Sequence, residues 1–188
     1  MTDNSDLGRK ILVAGQGGKS TLARAIAGDR GLPYIEMDAL TYERNWVAVL
    51  PGDFRVRVRD AMDNNPDGWV IDGNQAGALQ GMVAKEAETV VYVNIPFGRM
   101  MWRVFRRSVA RARDKRLICG ENTESWGRIL FSRDSLMWFL LKRRKGIGRR
   151  SGRFREWTGD DARFVELVGV KALDRFYEER GLVREWRR

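Results

Sequence analysis

One segment near the start of the chain constrains the fold more than any other. Residues 10–14 form a short apolar run that predicts a buried strand, and residues 21–27 repeat apolar side chains at helical spacing. The residues that join them, 15–21, read Gly-Gln-Gly-Gly-Lys-Ser-Thr. A strand, a glycine turn and a helix in this order bring backbone N–H groups and a helix N-terminus together around one point, an arrangement that binds phosphate. The segment therefore predicts an α/β fold with a phosphate site at its first helix.

Each kind of residue in the glycine turn has a physical role at such a site. Glycine allows the positive φ angles that bring the backbone against an anion. Lys19 can reach the β and γ phosphates of a nucleotide, and the Ser20 hydroxyl can ligate Mg²⁺. The nucleotide-binding residues predicted in this turn are Gly15, Gln16, Gly17, Gly18, Lys19, Ser20 and Thr21.

The turn is shorter than the usual phosphate-binding loop. In G-x-x-x-x-G-K-[ST] the first glycine stands six residues before the lysine, but Val13 occupies that position and Gly15 is only four residues before Lys19. A loop that is two residues shorter offers fewer N–H groups, so nucleotide affinity or phosphate register would differ from a standard site. The alternative interpretation is an ordinary glycine turn between a strand and a helix.

Further strands and helices alternate along the rest of the chain. Four more apolar runs predict strands, at 33–37, 69–71, 89–95 and 164–168. Helical spacing or helix-start signals predict helices at 51–62, 97–113 and 125–145. Strands that alternate with helices form a parallel sheet covered on both faces. The predicted fold class is α/β, with a five-stranded parallel sheet and helices on both faces.

The composition excludes several kinds of chemistry. The chain has no histidine, which excludes histidine general bases and histidine zinc sites, and the single cysteine, Cys119, cannot form an internal disulfide. The longest apolar run, 136–141, is far shorter than a membrane span, and residues 1–6 lack the layout of a secretory signal. We expect a cytoplasmic protein that does not bind membranes, with catalysis by carboxylates, lysine, arginine or a bound cation.

The positive charge is concentrated in one segment. The net charge is −3 over residues 1–98, +14 over 99–155 and −1 over 156–188. A basic block attracts anions such as nucleotides or nucleic acid, although a solvated face is the alternative. We predict a single domain, with a core at 8–98 and 156–188 and an arginine-rich helical insertion at 99–155.

Three further motifs resemble one protein family. These are residues 32–40, which read Leu-Pro-Tyr-Ile-Glu-Met-Asp-Ala-Leu and are followed by Trp46, residues 69–74, which read Trp-Val-Ile-Asp-Gly-Asn, and residues 101–108, which read Met-Trp-Arg-Val-Phe-Arg-Arg-Ser. With the glycine turn, they resemble the adenylate-kinase-like P-loop proteins, particularly the small bacterial ones labelled DNA topology modulation proteins or adenylate kinases by homology. The resemblance implies a nucleoside-monophosphate-kinase-like fold, a helical lid, and phosphoryl transfer from a nucleoside triphosphate with ATP and Mg²⁺.

The resemblance also implies roles for two carboxylates at the carboxyl edge of the sheet. Asp72, beside Gly73 at the end of the third predicted strand, matches an aspartate that holds Mg²⁺ directly or through water. Asp38, at the end of the second, resembles the residue that orients or deprotonates the acceptor in kinases that act on hydroxyls. Either side chain could instead be a simple cap.

Arginines complete the site that the resemblance implies. Arg103 and Arg107 are four residues apart and share a helix face. In the family, arginines at these two places stack near the base and clamp the transferred phosphoryl group. Arg44 is a candidate contact for an acceptor phosphate. Arg99, Arg106, Arg111 and Arg113 add positive charge nearby, and for each of these four a solvated surface arginine is the alternative.

Three functions remain open from the sequence. The first, which we rank highest, is a kinase that transfers the γ-phosphate of ATP to a small nucleotide or hydroxyl acceptor. The second is a kinase that acts on DNA or RNA bound along residues 99–155. The third is a nucleotide-dependent nucleic-acid-binding protein without phosphotransfer. Salt separates them, because contacts to several polynucleotide phosphates weaken steeply as salt rises.

Overall fold

The structure is a computed structural model that describes residues 7–43, 47–79, 81–102, 106, 117–118, 122–123 and 150–184. Five parallel strands form the main sheet: β1 (Lys10–Gln16), β2 (Tyr34–Glu36), β3 (Trp69–Asp72), β4 (Thr89–Asn94) and β7 (Arg163–Val168). A separate antiparallel pair consists of β5 (Leu117–Ile118) and β6 (Asn122–Thr123). The five-stranded parallel sheet confirms the predicted fold class.

Helices connect the strands. They are α1 (Lys19–Arg30), α2 (Met37–Thr41), α3 (Pro51–Asp63), α4 (Met82–Glu86), α5 (Arg150–Trp157) and α6 (Gly169–Glu179). Residues 97–102 are also helical, and Gln75–Gly77 form one 3₁₀ turn. Pro51 stands in the first turn of α3. Backbone N–H groups in a first turn have no partner within the helix, so a proline there costs no hydrogen bond.

The strand order brings the functional motifs to one edge of the sheet. The order is β2-β3-β1-β4-β7, so β1 lies between β3 and β4. All these pairings are parallel, and the carboxyl ends of the strands therefore meet at the same edge. The strand β3 lies on one side of β1 and β4 lies on the other, so the chain switches sides of β1 between these two strands. The carboxyl end of β1 is therefore a topological switch point. Ligands of open α/β sheets bind at such points.

Helices cover both faces of the sheet, as predicted. On one face, α1 and α6 bury Leu22, Ile26 and Phe176 against strand residues that include Val13 and Val91. On the other face the core is formed by residues of α3, α4 and α5 against the alternate strand positions, among them Phe54, Val58, Val83, Phe154, Leu12, Ile71 and Tyr92. The near-continuous burial of β1 and β4 is typical of strands covered on both sides.

Two element boundaries differ from the prediction, and both lie at the site. The strand β1 continues through Gly15 to Gln16 and α1 begins at Lys19, so only Gly17 and Gly18 lie between them; we call these two residues the two-glycine loop. The strand β2 ends at Glu36 rather than Met37, and Met37 begins the short helix α2. The prediction that Asp38 ends the second strand was therefore wrong, since Asp38 lies in the first turn of α2.

The arginine-rich insertion is described only in part. Of the helix predicted at 97–113, residues 97–102 and 106 are helical, and the rest lies outside the described residues, as does the helix predicted at 125–145. Most of α5, residues 150–155, falls within the predicted insertion, yet the helix packs on the sheet: Phe154 is buried, with its ring 5.5 Å from that of Tyr92. Within the described residues no helix is long and apolar enough to cross a membrane.

Candidate active site

The two-glycine loop leaves the start of α1 open to a ligand. Gly17 and Gly18 have φ angles of 82° and 134°, and a Cβ on Gly17 would lie 2.8 Å from Cβ of Ile95. The Gly18 carbonyl accepts the N–H of Leu22 at 3.0 Å and so begins the helix. Within this helix no side chain caps the first turn. The first N–H groups of α1 are thus available to an anion, which the helix dipole also favours.

Lys19, the first residue of α1, reaches back to the end of β3. Its Nζ lies 2.6 Å from Oδ1 of Asp72. The Asp72 side chain is 0% exposed and that of Lys19 16%. The sequence-predicted lysine and aspartate are therefore brought together, as an ion pair at the carboxyl edge of the sheet.

Tyr34 holds the other oxygen of the same carboxylate. The Tyr34 hydroxyl donates to Oδ2 of Asp72 at 2.9 Å, and the register of β2 against β3 places Tyr34 and Glu36 on the face toward α1. The Arg24 guanidinium lies 4.7 Å from the Tyr34 ring centroid and 3.4 Å from Glu36. Both oxygens of Asp72 thus have a donor, as a buried carboxylate requires.

The surroundings of Tyr34 favour its protonated form. Burial, and then the negative charges of Asp72 and Glu36, raise the pKa of Tyr34 far above its ordinary value, against a smaller opposing effect of Arg24. Tyr34 therefore remains a hydrogen-bond donor to Asp72 at every pH at which an exposed tyrosine is neutral. Sequence reasoning did not single out this residue, and its position two residues before the end of β2 was the only available signal.

Tyr34→Phe is expected to change the dependence of stability on alkaline pH. Above about pH 10 a tyrosine in the unfolded chain ionises while folded Tyr34 does not, so stability present below that pH is lost as the pH rises, by up to about 1.4 kcal/mol per pH unit. The variant lacks this loss, although it is less stable by about 1 kcal/mol at neutral pH because one hydrogen bond is missing. Urea unfolding from pH 8 to 11 measures both effects. Parallel pH profiles for the two proteins would contradict the assignment.

Asp38 is tied to the segment that follows β3. The Gln75 side-chain amide donates to Oδ1 of Asp38, and its Oε1 accepts the backbone N–H of Asn74 at 2.9 Å. Asp38 is half-buried. The chain thus places a second carboxylate beside the residues that directly follow Asp72.

An open cleft lies at the same edge of the sheet, between the segment after β4 and the start of α6. Its volume is about 420 Å³, and Gly98, Arg99, Trp102 and Val170 line it. Trp102 is 60% exposed. An aromatic ring and a guanidinium at this edge of the sheet are the kinds of group on which a nucleotide base can stack.

The other predicted site residues are placed only in part. Ser20 and Thr21 lie in the first turn of α1, whereas Arg44, Arg103 and Arg107 lie outside the described residues. The described residues contain no cluster of three or more metal-ligating side chains. Of the two side chains predicted to hold Mg²⁺, Asp72 already has Lys19 and Tyr34 against its two oxygens, so a cation would reach this carboxylate through water.

Comparisons with known proteins find likenesses among solved structures. The sequence matches no protein-family model and no curated protein. Among solved structures, the chain is similar to shikimate kinase from Acinetobacter baumannii in complex with shikimate, with 17% identity over 95% of this chain and 94% of that chain and a TM-score of 0.49.

Proposed function

We propose that the protein is a phosphotransferase that uses ATP and Mg²⁺ and moves the γ-phosphate to a small acceptor. One observation carries the proposal: a lysine at the open N-terminus of a helix, after a two-glycine loop, is paired with a buried aspartate at the end of the adjacent strand. Together these groups can hold a phosphate chain and the cation bound to it.

Phosphoryl transfer fits the kind of groups present. The reaction requires mainly that donor and acceptor be aligned and that the charge on the moving group be neutralised. The N–H groups at the start of α1 and the Lys19 ammonium would hold the β and γ phosphates, and Ser20 with Asp72 would hold Mg²⁺, which neutralises phosphate charge when bound. The cleft beside Trp102 would take the base of the nucleotide. Arg103 and Arg107 would contact the base and the moving phosphoryl group.

The acceptor group is a hydroxyl rather than a phosphate. Asp38 stands at the carboxyl edge of the sheet with its carboxylate held by Gln75. A carboxylate accepts a proton from a hydroxyl but repels an anionic phosphate, and a positioned general base suits the first case. Arg44 would then contact a negative group elsewhere on the acceptor.

A screen with γ-labelled ATP tests the function. The acceptors are sugars, nucleosides, hydroxy acids, nucleoside monophosphates, and single- and double-stranded DNA, each with and without Mg²⁺. We expect Mg²⁺-dependent transfer to at least one small hydroxyl compound. Transfer to DNA alone, or to monophosphates alone, would contradict the proposed acceptor, and failure to bind ATP would contradict the function.

Asp38→Asn is expected to slow turnover by roughly 10²–10⁴-fold, the contribution of a general base, with nucleotide affinity almost unchanged. The amide keeps the size of the side chain and can still bond to Gln75, but it cannot accept the proton. Steady-state kinetics with the acceptor found in the screen, together with equilibrium titration of ATP, separate the two effects. The matched control is Asp53→Asn, an exposed acid in the first turn of α3, which we expect to behave like the parent. Equal losses of turnover and affinity in Asp38→Asn would assign the residue to structure or metal binding.

A further inference from the structure

The side-chain amide of Asn74 makes hydrogen bonds to both polar groups of the Gly15 backbone, the N–H and the carbonyl. The Gly15 N–H donates to Oδ1 of Asn74 at 2.7 Å, and Nδ2 of Asn74 donates to the Gly15 carbonyl at 2.8 Å. A carboxamide is the smallest side-chain group that can match both groups of one backbone residue in this way. Asn74 stands 59 positions further along the chain, so the contact joins two separate segments of the site.

This contact continues the ladder between β1 and β3 after β3 has ended. The strand β3 ends at Asp72, and its last backbone bond to β1 runs from Gly73 N–H to the Val13 carbonyl at 3.2 Å. The Asn74 amide then supplies the donor and the acceptor that a further strand residue would have offered. On its other side Gly15 is paired in register with Val93 of β4. The backbone of Gly15 is therefore held on one side by Asn74 and on the other side by β4.

The backbone of Asn74 is held in place as well. Its backbone N–H donates to Oε1 of Gln75, and the Gln75 amide donates in turn to Asp38. Asn74 precedes the 3₁₀ turn Gln75–Gly77, but its side chain does not cap that turn. Its hydrogen-bonding groups are thus used on Gly15 rather than on its own turn.

We propose that Asn74 is a positioning residue of the donor site, which acts through the Gly15 backbone to fix the direction in which the two-glycine loop leaves β1. Only Gln16 separates Gly15 from that loop, so a small rotation at Gly15 would move the N–H groups at the start of α1. The inference rests on the proposed function, because it assigns Asn74 to the nucleotide that this loop would bind.

The test compares Asn74→Ala and Asn74→Asp with the parent in titrations of a non-hydrolysable ATP analogue with Mg²⁺. Asn74→Ala loses both hydrogen bonds, and we expect the affinity to fall by about 10-fold or more and the Gly15 amide to exchange its hydrogen faster. The matched control is Asn65→Ala, which removes another side-chain amide bonded to a backbone carbonyl, that of Ala61, far from the loop. We expect the control to bind the analogue like the parent.

Asn74→Asp gives a readout that a purely structural residue would not give. Its carboxylate can accept the Gly15 N–H but faces the Gly15 carbonyl without a proton to donate, which raises the pKa of the introduced carboxyl group. At neutral pH the variant should therefore bind weakly, and relative to the parent at the same pH it should recover affinity as the pH falls and the carboxyl group becomes protonated. This variant also keeps the test informative if Asn74→Ala fails to fold.

The outcomes separate this inference from the proposed function. A parent protein that does not bind the analogue would overturn the proposed function and this inference with it. A parent that binds, with both Asn74 variants binding equally well, would overturn the inference alone. Unchanged exchange of the Gly15 amide in Asn74→Ala would also overturn it, because the contact would then not hold the backbone.

Discussion

Lys19→Ala is expected to reduce phosphoryl transfer by at least about 10²–10³-fold, the usual effect of removing one preorganised group that neutralises charge in a transition state. The lysine lies at the first position of α1 and reaches the carboxyl edge of the sheet. No other lysine of the described residues lies in the first turn of this helix. Turnover with γ-labelled ATP, at saturating acceptor, measures the loss. The matched control is Lys85→Ala, an exposed lysine of α4, which should keep the activity of the parent.

Lys19→Ala should also lower stability, because it removes one partner of the ion pair with Asp72. Without Lys19, the fully buried Asp72 keeps, among the described residues, only the hydrogen bond from Tyr34. Breaking a buried pair from one side costs about 3 kcal/mol or more. The double variant Lys19→Ala, Asp72→Asn should recover much of this stability but no activity. Urea unfolding and turnover measured on both variants separate folding from catalysis. If the double variant regained activity together with stability, or if Lys19→Ala turned over like the parent, Lys19 would not be part of the donor site.

Gly15→Ala is expected to lower stability by at least as much as Lys19→Ala. Gly15 has a φ of 99°, and an added Cβ would lie 2.1 Å from the carbonyl oxygen of Val93 in β4. The new methyl group would clash with strand backbone, which cannot rotate away as a side chain can. The methyl group can therefore be accommodated only by separating two central strands or by changing φ. We expect a loss of about 3 kcal/mol or more in the free energy of unfolding, and loss of nucleotide affinity, because the two-glycine loop starts from this strand.

Gly28→Ala is the matched control for Gly15→Ala. Gly28 lies inside α1 with an ordinary φ, and an added Cβ would meet no heavy atom within 4 Å. Alanine in a helix interior is more favourable than glycine by about 1 kcal/mol, so this variant should be more stable than the parent. Chemical denaturation measures both variants. A Gly15→Ala protein as stable as the parent would show that β1 and β4 do not approach as closely as described.

The sheet could be predicted because its signal is local. The apolar runs of β1 and β4 are long and buried on both faces, and only strands covered by helices can hold such runs. The helix start at Pro51 and the turn from Asn64 to Gly68 also follow from single residues with strong conformational preferences. The relation between the glycine turn and Asp72 followed from the rule that strand ends share one edge.

Other features of the site depend on contacts between distant segments, which no local pattern specifies. Gly15 looks like a loop residue in the sequence, but strand pairing with β4 keeps it in β1. Asp38 falls in a helix because β2 ends early at the edge of the sheet. The contacts of Tyr34 and Asn74 join residues that are 38 and 59 positions apart. Their amino-acid types permit these contacts, but only the packed sheet brings the partners together.

A crystal structure of the protein with Mg²⁺ and a non-hydrolysable ATP analogue tests the central claim most directly. We expect the β and γ phosphates to lie against the backbone N–H groups of the two-glycine loop and the first turn of α1. The Lys19 ammonium should have moved from Asp72 to a phosphate oxygen. An analogue bound elsewhere, or absent at saturating concentration, with the ion pair between Lys19 and Asp72 unchanged, would contradict the assignment of this loop as the donor site.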